Sequence, residues 1–581
     1  MTDTRGAASL TPMSDPLGLA RGVTDYGDRD FALYLRRSFA RAMGYSREML
    51  TRPVIGIANT ASGFNNCHRH FPELIDAVKR GVLAAGGLPL VFPTISLGEV
   101  FLAPTSLMFR NLMAMDTEEM IRAQPMDAVV LVGGCDKTVP AQLMGAISAN
   151  RPAIGLVAGP MLTSRWHGER LGACTDCRRF WAKYRAGEID ADEIHEIEGN
   201  LATTAGTCAV MGTASTMASI AEALGMILPG TAAIPAVHAD RLRAAEATGR
   251  AAMRLAAEHV TPDRIVTPQS IENALRVLMA IGGSTNAVLH LTAIAGRAGV
   301  DIDLRRLNEI SDSTPVIVDL KPTGPHYMED LFAAGGIGGV LRELKPLLNL
   351  DCLTVAGETV GERLAQPPGP VDRNVVRPLG EPLQSEGGLV ALFGSLAPKG
   401  AIFKRSAADP ELFEREGRAV VFASLEDLSA RIDDPDLDVT PDDFLVLQNA
   451  GPLSPSGMPE AGYLPIPGKL ARAGVKDMVR ISDARMSGTA YGSIVLHVTP
   501  DAASGGPLAK VRNGDRIRLS VRMRRLDLLV PSEELARRLT APPPIPDRGY
   551  ARLYRREILQ ADRGCDFDFL RKHPLGEGRA P

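Results

Sequence analysis

Several features that mark specialised classes of protein are missing from this sequence. It contains no apolar run near the roughly 20 residues that a membrane-spanning helix needs. Its first residues, MTDTRGAASLTPMSDPLGLARG, have neither the basic start nor the apolar stretch of a secretory signal. Its charges nearly cancel, with 64 Lys and Arg against 68 Asp and Glu, so no attraction to a polyanion is indicated. We therefore expect a cytoplasmic protein with neither nucleic-acid nor membrane partners.

Cysteines and aromatic residues are also scarce. Seven cysteines in 581 residues do not make the disulfide framework of a secreted protein, so reduced thiols or metal ligands are expected. An aromatic content of 5% leaves few rings on which bases or sugars could stack. By contrast, the chain contains 57 Gly and 42 Pro residues that do not recur at a fixed spacing, which indicates many tight turns and loops. At 45% hydrophobic residues, the chain can bury the cores of two domains.

Familiar catalytic motifs are missing as well. The sequence has no GxxxxGK[ST] phosphate loop, no HExxH, and no GxGxxG with a later acid in the right setting. The glycines of AAGGIGGV (333–340) resemble a nucleotide loop only superficially, and we interpret them as a turn that starts a helix. Ser487 lies in no GxSxG elbow, so a hydrolase triad is weakly supported.

The N-terminal half alternates short apolar runs with helical periodicity, which is typical of a parallel sheet covered by helices. A helix is predicted at 71–85, because Leu74, Val78 and Val82 recur at the spacing of one helix face. Open parallel sheets bind ligands beyond the carboxyl ends of their strands. The predicted strands lie at 53–59, 86–96, 126–134 and 151–159.

A stretch rich in Pro and Gly around 365–387 is typical of a domain linker. We place the boundary near 375, which gives an α/β domain at 1–375 and a second domain at 376–581. Short apolar runs follow, and around 516–522 apolar and charged residues alternate with the period of a strand. The second domain is therefore predicted to be β-rich.

Three cysteines occupy loops rich in Gly, Asn or Thr: Cys67 in FNNCHRH, Cys135 in GGCDKT and Cys208 in GTCAVMGTAST. Thiolates are the usual ligands of iron-sulfur clusters, and three of them would leave one iron position open for water or substrate. Their separation by about seventy residues matches no local metal motif. The alternative is that each cysteine is a small buried apolar residue.

Cys174 and Cys177 form a separate pair in CTDC, with a spacing that occurs in metal and redox sites. A structural zinc site would need a second pair of ligands, and no suitable pair is nearby. The setting of a thioredoxin-like motif is not evident either. We interpret this spacing as a coincidence.

Hard oxygen ligands lie beside the thiols. Asp136 follows Cys135 directly, and Glu99 comes just after a predicted strand in ISLGEVF. Magnesium takes such carboxylates and keeps positions for substrate oxygens. Lys137 would be an odd neighbour for a cation unless carbamylation made it an anionic oxygen ligand. The alternatives are a helix cap or loop charge for each acid, and a salt-bridged lysine.

Four separated motifs occur together along the chain, and jointly they resemble the dihydroxy-acid and sugar-acid dehydratase family. They are GGCDKT, GTCAVMGTASTM, GGSTNAVLH and SDARMSGTAYG. The resemblance covers most of the chain. It implies an N-terminal α/β domain, a C-terminal β-barrel-like domain, and a homodimer or homotetramer whose site lies between the domains.

The resemblance also implies cofactors and roles. The implied reaction removes water from a 2,3-dihydroxy acid to give a 2-keto-3-deoxy acid, and Ser487 is the base that takes the proton from C2. Residues that could orient the substrate are Ser284, Thr285, Asn286 and Thr489, although the first three could equally form a structural cap. The implied ligands are Cys67, Cys135 and Cys208 for a 2Fe-2S cluster, and Glu99, Asp136, carbamylated Lys137 and Glu460 for magnesium.

Within that family, SDARMSGTAYG and MGTASTM are similar to pentonate and related aldonate dehydratases, whereas branched-chain members look like DGRFSG around the serine. We therefore expect a sugar acid as substrate. The loops GFNNCHRHF and ISLGEVF depart from the family pattern. The nearest alternative is a branched-chain dihydroxy-acid dehydratase, and the alternative of another class is a non-catalytic small-molecule binding protein.

Overall fold

The computed structural model describes residues 17–23, 25–367 and 369–572. From the sequence, we expect no secretory signal in residues 1–22. Residues 1–16 of that segment lie outside the described residues. Within the described residues, no helix combines the length and the apolar character that a membrane crossing requires.

An all-parallel sheet of four strands forms the centre of the N-terminal half, in the order β2-β1-β3-β4. Every residue of the third and fourth strands is buried, as expected for a parallel sheet covered on both faces. All four strands predicted from the sequence are confirmed. They are β1 (Val54–Asn59), β2 (Leu88–Pro93), β3 (Ala128–Gly133) and β4 (Ala153–Val157). A short hairpin that the sequence did not indicate follows, β5 (Ser164–Trp166) and β6 (Glu169–Leu171).

Fourteen α-helices of the described chain surround and extend this sheet. The predicted helix at 71–85 is confirmed, with Leu74, Val78 and Val82 buried. The glycines at 333–340 do start a helix: Gly335 has a φ of +100° in the turn before it, and Gly336, Gly338 and Gly339 lie in its first turns. The helices are α1 (Arg29–Ala42), α2 (Phe71–Ala84), α3 (Leu107–Ala123), α4 (Thr138–Ala149), α5 (Thr175–Ala186), α6 (Ala191–Leu201), α7 (Thr213–Ala223), α8 (Ala239–Glu258), α9 (Pro268–Ala280), α10 (Asn286–Ala298), α11 (Leu304–Asp312), α12 (Met328–Ala333), α13 (Gly336–Glu343) and α14 (Val360–Ala365).

The C-terminal half is built on a mixed sheet of eight strands, in the order β14-β13-β9-β10-β11-β12-β8-β7. Its edge strands meet through Phe393, whose N–H donates to Arg524 and whose carbonyl accepts from Leu526, so the sheet nearly closes into a barrel. The strands are β7 (Val390–Leu392), β8 (Gly400–Phe403), β9 (Glu414–Phe422), β10 (Phe444–Leu447), β11 (Arg480–Ser482), β12 (Ile494–Thr499), β13 (Arg516–Ser520) and β14 (Arg525–Leu528). This architecture confirms the expected α/β half followed by a β-rich, barrel-like half.

Alternation along the barrel strands separates two cores. Ala419 and Val421 belong to one hydrophobic cluster, whereas Val420 and Phe422 belong to another. The second cluster includes residues of a helix that packs outside the sheet, α15 (Leu425–Arg431). The remaining helices are α16 (Gly468–Arg472), α17 (Ser532–Arg537) and α18 (Gly549–Glu557).

The last described segment, residues 549–572, packs back onto the N-terminal half. Arg297 near the end of α10 forms a bidentate ion pair with Asp566, with N···O distances of 2.6 and 3.0 Å, and neither side chain is exposed. Arg110 of α3 donates to the carbonyl groups of Gly564 and Cys565. The boundary near 375 stays a prediction, since Val318 in the N-terminal half bridges to the strand-like backbone at 376.

Candidate active site between the two halves

The loops that follow β1, β2 and β3 meet at the carboxyl edge of the parallel sheet. The first carries Cys67, the second carries Glu99, and the third carries Cys135 and the two residues after it. This is the edge at which open α/β sheets bind ligands. Loops of the C-terminal half cover it and contribute Glu460 and Ser487.

Three carboxylates lie together in this junction. Glu99, Asp136 and Glu460 each place an oxygen within 4.8 Å of the others. The Nζ atom of the fully buried Lys137 lies 2.8 Å from Glu99, 3.5 Å from Asp136 and 3.7 Å from Glu460. The Lys137 amine therefore sits among three carboxyl groups, and carboxyl oxygens are a donor set that fits a hard divalent cation such as magnesium.

Arg485 is a second buried cation in this acidic group, and it was not predicted from the sequence. Its guanidinium donates to Glu460 Oε1 at 2.8 Å and to Glu99 Oε1 at 3.3 Å. Further hydrogen bonds run to Thr105 Oγ1 at 2.7 Å and to the carbonyl of Met458 at 2.7 Å. The sequence shows this arginine two residues before Ser487 in SDARMSGTAYG, but it does not show the distant residues to which the arginine donates.

The electrostatics of the acidic group differ from one carboxyl to the next. Burial opposes ionisation of Glu99, but the charges of Lys137 and Arg485 outweigh it and lower the pKa to about 2. Burial raises the pKa of Asp136 to about 7, with Lys137 opposing the rise. A divalent cation at this position would favour the ionised form of all three carboxyl groups.

The predicted thiol ligands face the same region. The Cys67 thiol hydrogen-bonds to that of Cys135 and, together with burial, raises the pKa of Cys135 well above its usual value. Contact with the Cys174 thiol raises the pKa of Cys208 most, and the charges of Asp136 and Cys67 add to the rise. These thiols lie against one another, and the pKa values of Cys135 and Cys208 are raised. Neighbouring sulfur atoms of this kind are a donor set that fits a soft metal centre.

His68 connects two of the thiol loops and was also missed. Its Nε2 accepts from the N–H of Cys135 at 3.1 Å, while Nδ1 donates to the carbonyl of Thr60 at 2.8 Å. Burial lowers the pKa of His68 to about 4, so the ring is neutral and this tautomer is fixed by its two partners. Its position next to Cys67 was the only hint in the sequence.

The loop at 487–489 brings Ser487 to the junction. Ser487 is partly exposed, whereas residues 481–486 and 488–490 are buried. Its Oγ lies 2.8 Å from Thr489 Oγ1. A Cβ atom on Gly488 would lie 2.6 Å from the Cβ of Ser284, so the backbone of this loop approaches the N-terminal half more closely than any larger residue permits.

A buried polar network links this loop to the acidic group. Thr213 Oγ1 lies 2.9 Å from Ser284 Oγ and accepts from Asn286 Nδ2 at 3.2 Å. The same amide nitrogen donates to Glu460 Oε1 at 2.9 Å. Within the described chain, the Oγ1 of Thr285 and the Oδ1 of Asn286 are buried without a hydrogen-bond partner. Such unpaired groups are available to a polar ligand.

Comparison with known proteins agrees with this geometry. Residues 52–363 match the N-terminal part, and residues 374–565 the C-terminal part, of the family described as dihydroxy-acid/6-phosphogluconate dehydratase. The chain belongs to this dehydratase family. The resemblance found in the sequence motifs is confirmed, and the chain is a member of a hydro-lyase family.

Relatives cover nearly the whole dehydratase chain. It is 48% identical over 563 residues to L-arabonate dehydratase of Azospirillum brasilense, and the match covers 95% of this chain and 96% of the relative. It is 46% identical over 544 residues to 6-deoxy-6-sulfo-D-gluconate dehydratase of Pseudomonas putida, with 92% and 94% covered. It is 41% identical over 544 residues to dihydroxy-acid dehydratase of Carboxydothermus hydrogenoformans, with 91% and 97% covered.

Two groups in the dehydratase were not anticipated at this site. Lys404 is fully buried behind the serine loop, where its Nζ donates to the carbonyl of Gly488 at 3.3 Å, and burial lowers its pKa to about 7. Cys174 lies against Cys208, with 3.4 Å between the sulfur atoms. The spacing of CTDC gave no indication of this contact.

The structure therefore brings the site residues predicted from the motifs into one junction between the two halves. Their roles in binding and catalysis stay predictions. The residues are Cys67, Glu99, Cys135, Asp136, Lys137, Cys208, Ser284, Thr285, Asn286, Glu460, Ser487 and Thr489.

Proposed function

We propose that this dehydratase removes water from a sugar acid of the aldonate class to give a 2-keto-3-deoxy acid. The observation that carries the proposal is the convergence of an acidic group, three thiols and a partly exposed serine in one junction. Relatives named for sugar acids are 46–48% identical to the chain, whereas those named dihydroxy-acid dehydratase are 38–41% identical. This difference favours an aldonate over a branched-chain substrate.

The cofactors belong to the same proposal. Bound there, they would supply Lewis acids that polarise the substrate carboxylate and hydroxyl groups. Carbamylation of Lys137 would turn a buried cation into an anionic oxygen ligand, which the surrounding carboxylates tolerate only if a metal ion supplies positive charge. The ligands would be Cys67, Cys135 and Cys208 for a 2Fe-2S cluster, and Glu99, Asp136, carbamylated Lys137 and Glu460 for magnesium.

The residues of the chain would act on the proton and on the orientation of the substrate. Ser487 Oγ, as an alkoxide, would take the proton from C2 while the 3-hydroxyl group leaves as hydroxide. Transfer of that proton from Ser487 to the hydroxide would release water and restore the alkoxide, and the resulting enol would tautomerise to the ketone. The hydroxyl of Thr489, 2.8 Å away, can donate to a developing serine alkoxide. The buried unpaired groups of Thr285 and Asn286 would hold hydroxyl groups of the substrate.

The decisive experiment is purification without oxygen, followed by iron and sulfide analysis, a visible spectrum, and an assay of keto-acid formation with magnesium. The substrates are a panel of aldonates and 2,3-dihydroxyisovalerate. A brown protein that turns over aldonates supports the proposal. Turnover of dihydroxyisovalerate alone would assign the chain to branched-chain biosynthesis, and a colourless, inactive protein would make it a binding protein.

The ligand set has its own test. Replacing each of Cys67, Cys135 and Cys208 with serine is expected to abolish the visible absorption of the cluster in all three variants. Cys352, which is buried away from this junction beside Asn273, provides the matched control in which the absorption persists. Loss of the cluster from only one of the three variants would contradict the three-ligand proposal.

We also propose a homodimer or homotetramer in the cytoplasm. Phe31, Tyr34 and Phe39 on α1 are 45%, 64% and 71% exposed, and clustered exposed rings support a contact surface between subunits. The seven free thiols are consistent with a reducing compartment. Light scattering coupled to gel filtration tests the assembly, and a monomer at micromolar concentration would contradict it.

A further inference from the structure

The two thiols of CTDC, Cys174 and Cys177, form a contiguous group with Cys208 at the edge of the proposed active site. The sulfur atoms of Cys174 and Cys208 lie 3.4 Å apart. The thiol of Cys177, one helical turn along α5, hydrogen-bonds to Cys174. All three are partly exposed, whereas Cys67, Cys135 and the two remaining cysteines are buried.

The backbone holds Cys174 and Cys208 side by side. The N–H of Ala209 donates to the carbonyl of Ala173 at 2.9 Å, so the residues adjacent to the two cysteines are paired across the two segments. These alanines pack in one small hydrophobic cluster with Met161, Val210 and Tyr327. The contact between the two thiols is therefore built into the fold.

Asp176 fixes the CTDC segment from the other side. Its carboxylate is fully buried and accepts from the N–H of Gly172 at 2.9 Å, the hydroxyl of Tyr327 at 2.8 Å and the ammonium of Lys321 at 2.9 Å. In addition, Thr175 Oγ1 donates to the carbonyl of Thr489 at 3.0 Å. The cysteine pair thus borders the serine loop in a rigid setting.

A disulfide has a sulfur–sulfur bond of about 2.05 Å, so the observed contact needs to close by only about 1.4 Å, a distance that side-chain rotation covers. We propose that Cys174 and Cys208 form a reversible disulfide when the site holds no cluster. Cys174 would then act as the thiol that reacts with the oxidant, and Cys208 as the resolving thiol, so that both sulfur atoms are held in a disulfide that a reductant can reverse.

The oxidant is a peroxide. Hydrogen peroxide oxidises the Cys174 thiol to a sulfenic acid and releases one water. The Cys208 thiol then attacks that sulfur, forms the S–S bond and releases a second water, so two thiols and one peroxide give one disulfide and two waters. A dithiol reductant reverses the step and restores both thiols.

The significance of this disulfide rests on the proposed function, in which Cys208 is a ligand of the cluster. While the sulfur of Cys208 is a ligand of iron, it is not available to Cys174 and the disulfide cannot form. After loss of the cluster, the disulfide would block reassembly until a reductant frees Cys208. The same sulfur would thereby couple the redox state of the surroundings to cofactor loading.

The first test is peptide mapping of the full-length, cluster-free protein after treatment with one equivalent of hydrogen peroxide, alkylation and trypsin digestion. Cys174 and Cys177 lie on the peptide 171–178, and Cys208 lies on 186–241. We expect a link between these two peptides in the unmodified sequence. The link should persist in Cys177→Ser, the matched control, and disappear in Cys174→Ser.

Two results would overturn the proposal: a disulfide confined to peptide 171–178, or free thiols throughout. The unmodified protein suffices for both results, so misfolding of a variant does not obscure them.

The second test adds iron and sulfide to the oxidised protein and follows visible absorption. We expect no cluster until dithiothreitol is added. If the interpeptide link forms yet the cluster assembles regardless, the disulfide stands and the proposed ligand role of Cys208 fails.

Discussion

Replacing Lys404 with methionine removes a fully buried amine and keeps an unbranched side chain of similar length. The amine donates to the carbonyl of Gly488, and burial is the cause that lowers its pKa to about 7 from the usual 10.5. Charging this lysine is therefore costly in the folded protein. The variant Lys404→Met removes that cost together with one hydrogen bond.

The magnitude follows from the two pKa values. Between about pH 7 and 10.5 the unfolded chain binds more protons at this lysine than the folded chain does, so the free energy of unfolding of the wild type rises with pH in that range. Below about pH 7 both states are protonated and the full cost of roughly 5 kcal/mol applies. The stabilisation gained by Lys404→Met should therefore be about 3 kcal/mol larger at pH 6 than at pH 9.

The assay is thermal unfolding of cluster-free wild type and variant at pH 6, 7.5 and 9. The difference between the two melting temperatures should be about 2–3 °C larger at pH 6 than at pH 9. Lys476→Met, at an exposed lysine, is the matched control and should give a difference that is flat with pH. A flat difference for Lys404→Met would refute the reasoning, because the amine would then carry no burial cost.

Three further predictions concern the loop and the contact between the halves. Ser487→Ala should keep the visible absorption of the proposed cluster and lower kcat by about 10²–10⁴-fold, and an unchanged kcat would exclude this serine as the base. Gly488→Ala places a Cβ 2.6 Å from that of Ser284, so it should lower the free energy of unfolding by about 1–3 kcal/mol and also lower kcat. A variant with the melting temperature and kcat of the wild type would contradict the close approach. Asp566→Ala leaves Arg297 buried without its bidentate partner, so urea unfolding should show a loss of about 3–5 kcal/mol, and a loss below about 1 kcal/mol would show that the pair is unimportant.

Much of the fold was predictable from periodicity. The buried strands of the parallel sheet are continuous apolar runs, and α2 shows a clear apolar face, so both were found from local patterns. The strands Gly400–Phe403 and Arg525–Leu528 were not predicted from the sequence. The near-closure of the sheet depends on pairing between distant segments and has no local signal.

The candidate site shows the same division. Cys135 could be placed at a sheet edge because it directly follows a predicted strand. The network of Arg485, the burial of Lys404 and the contact of Cys174 with Cys208 could not be predicted, because each depends on residues that are distant in the sequence. The resemblance supplied candidate ligands but no account of how buried charges are balanced.

The return of residues 549–572 to the N-terminal half has a consequence for biosynthesis. Glu99 and Asp136 are synthesised hundreds of residues before Glu460. Residues 549–572, which bind to α3 and α10, are synthesised later still. The acidic group is therefore incomplete until Glu460 has been synthesised, so the magnesium ion proposed for it would bind only late in translation or afterwards. A nascent chain that ends before Glu460 would present only two of the three carboxyl groups.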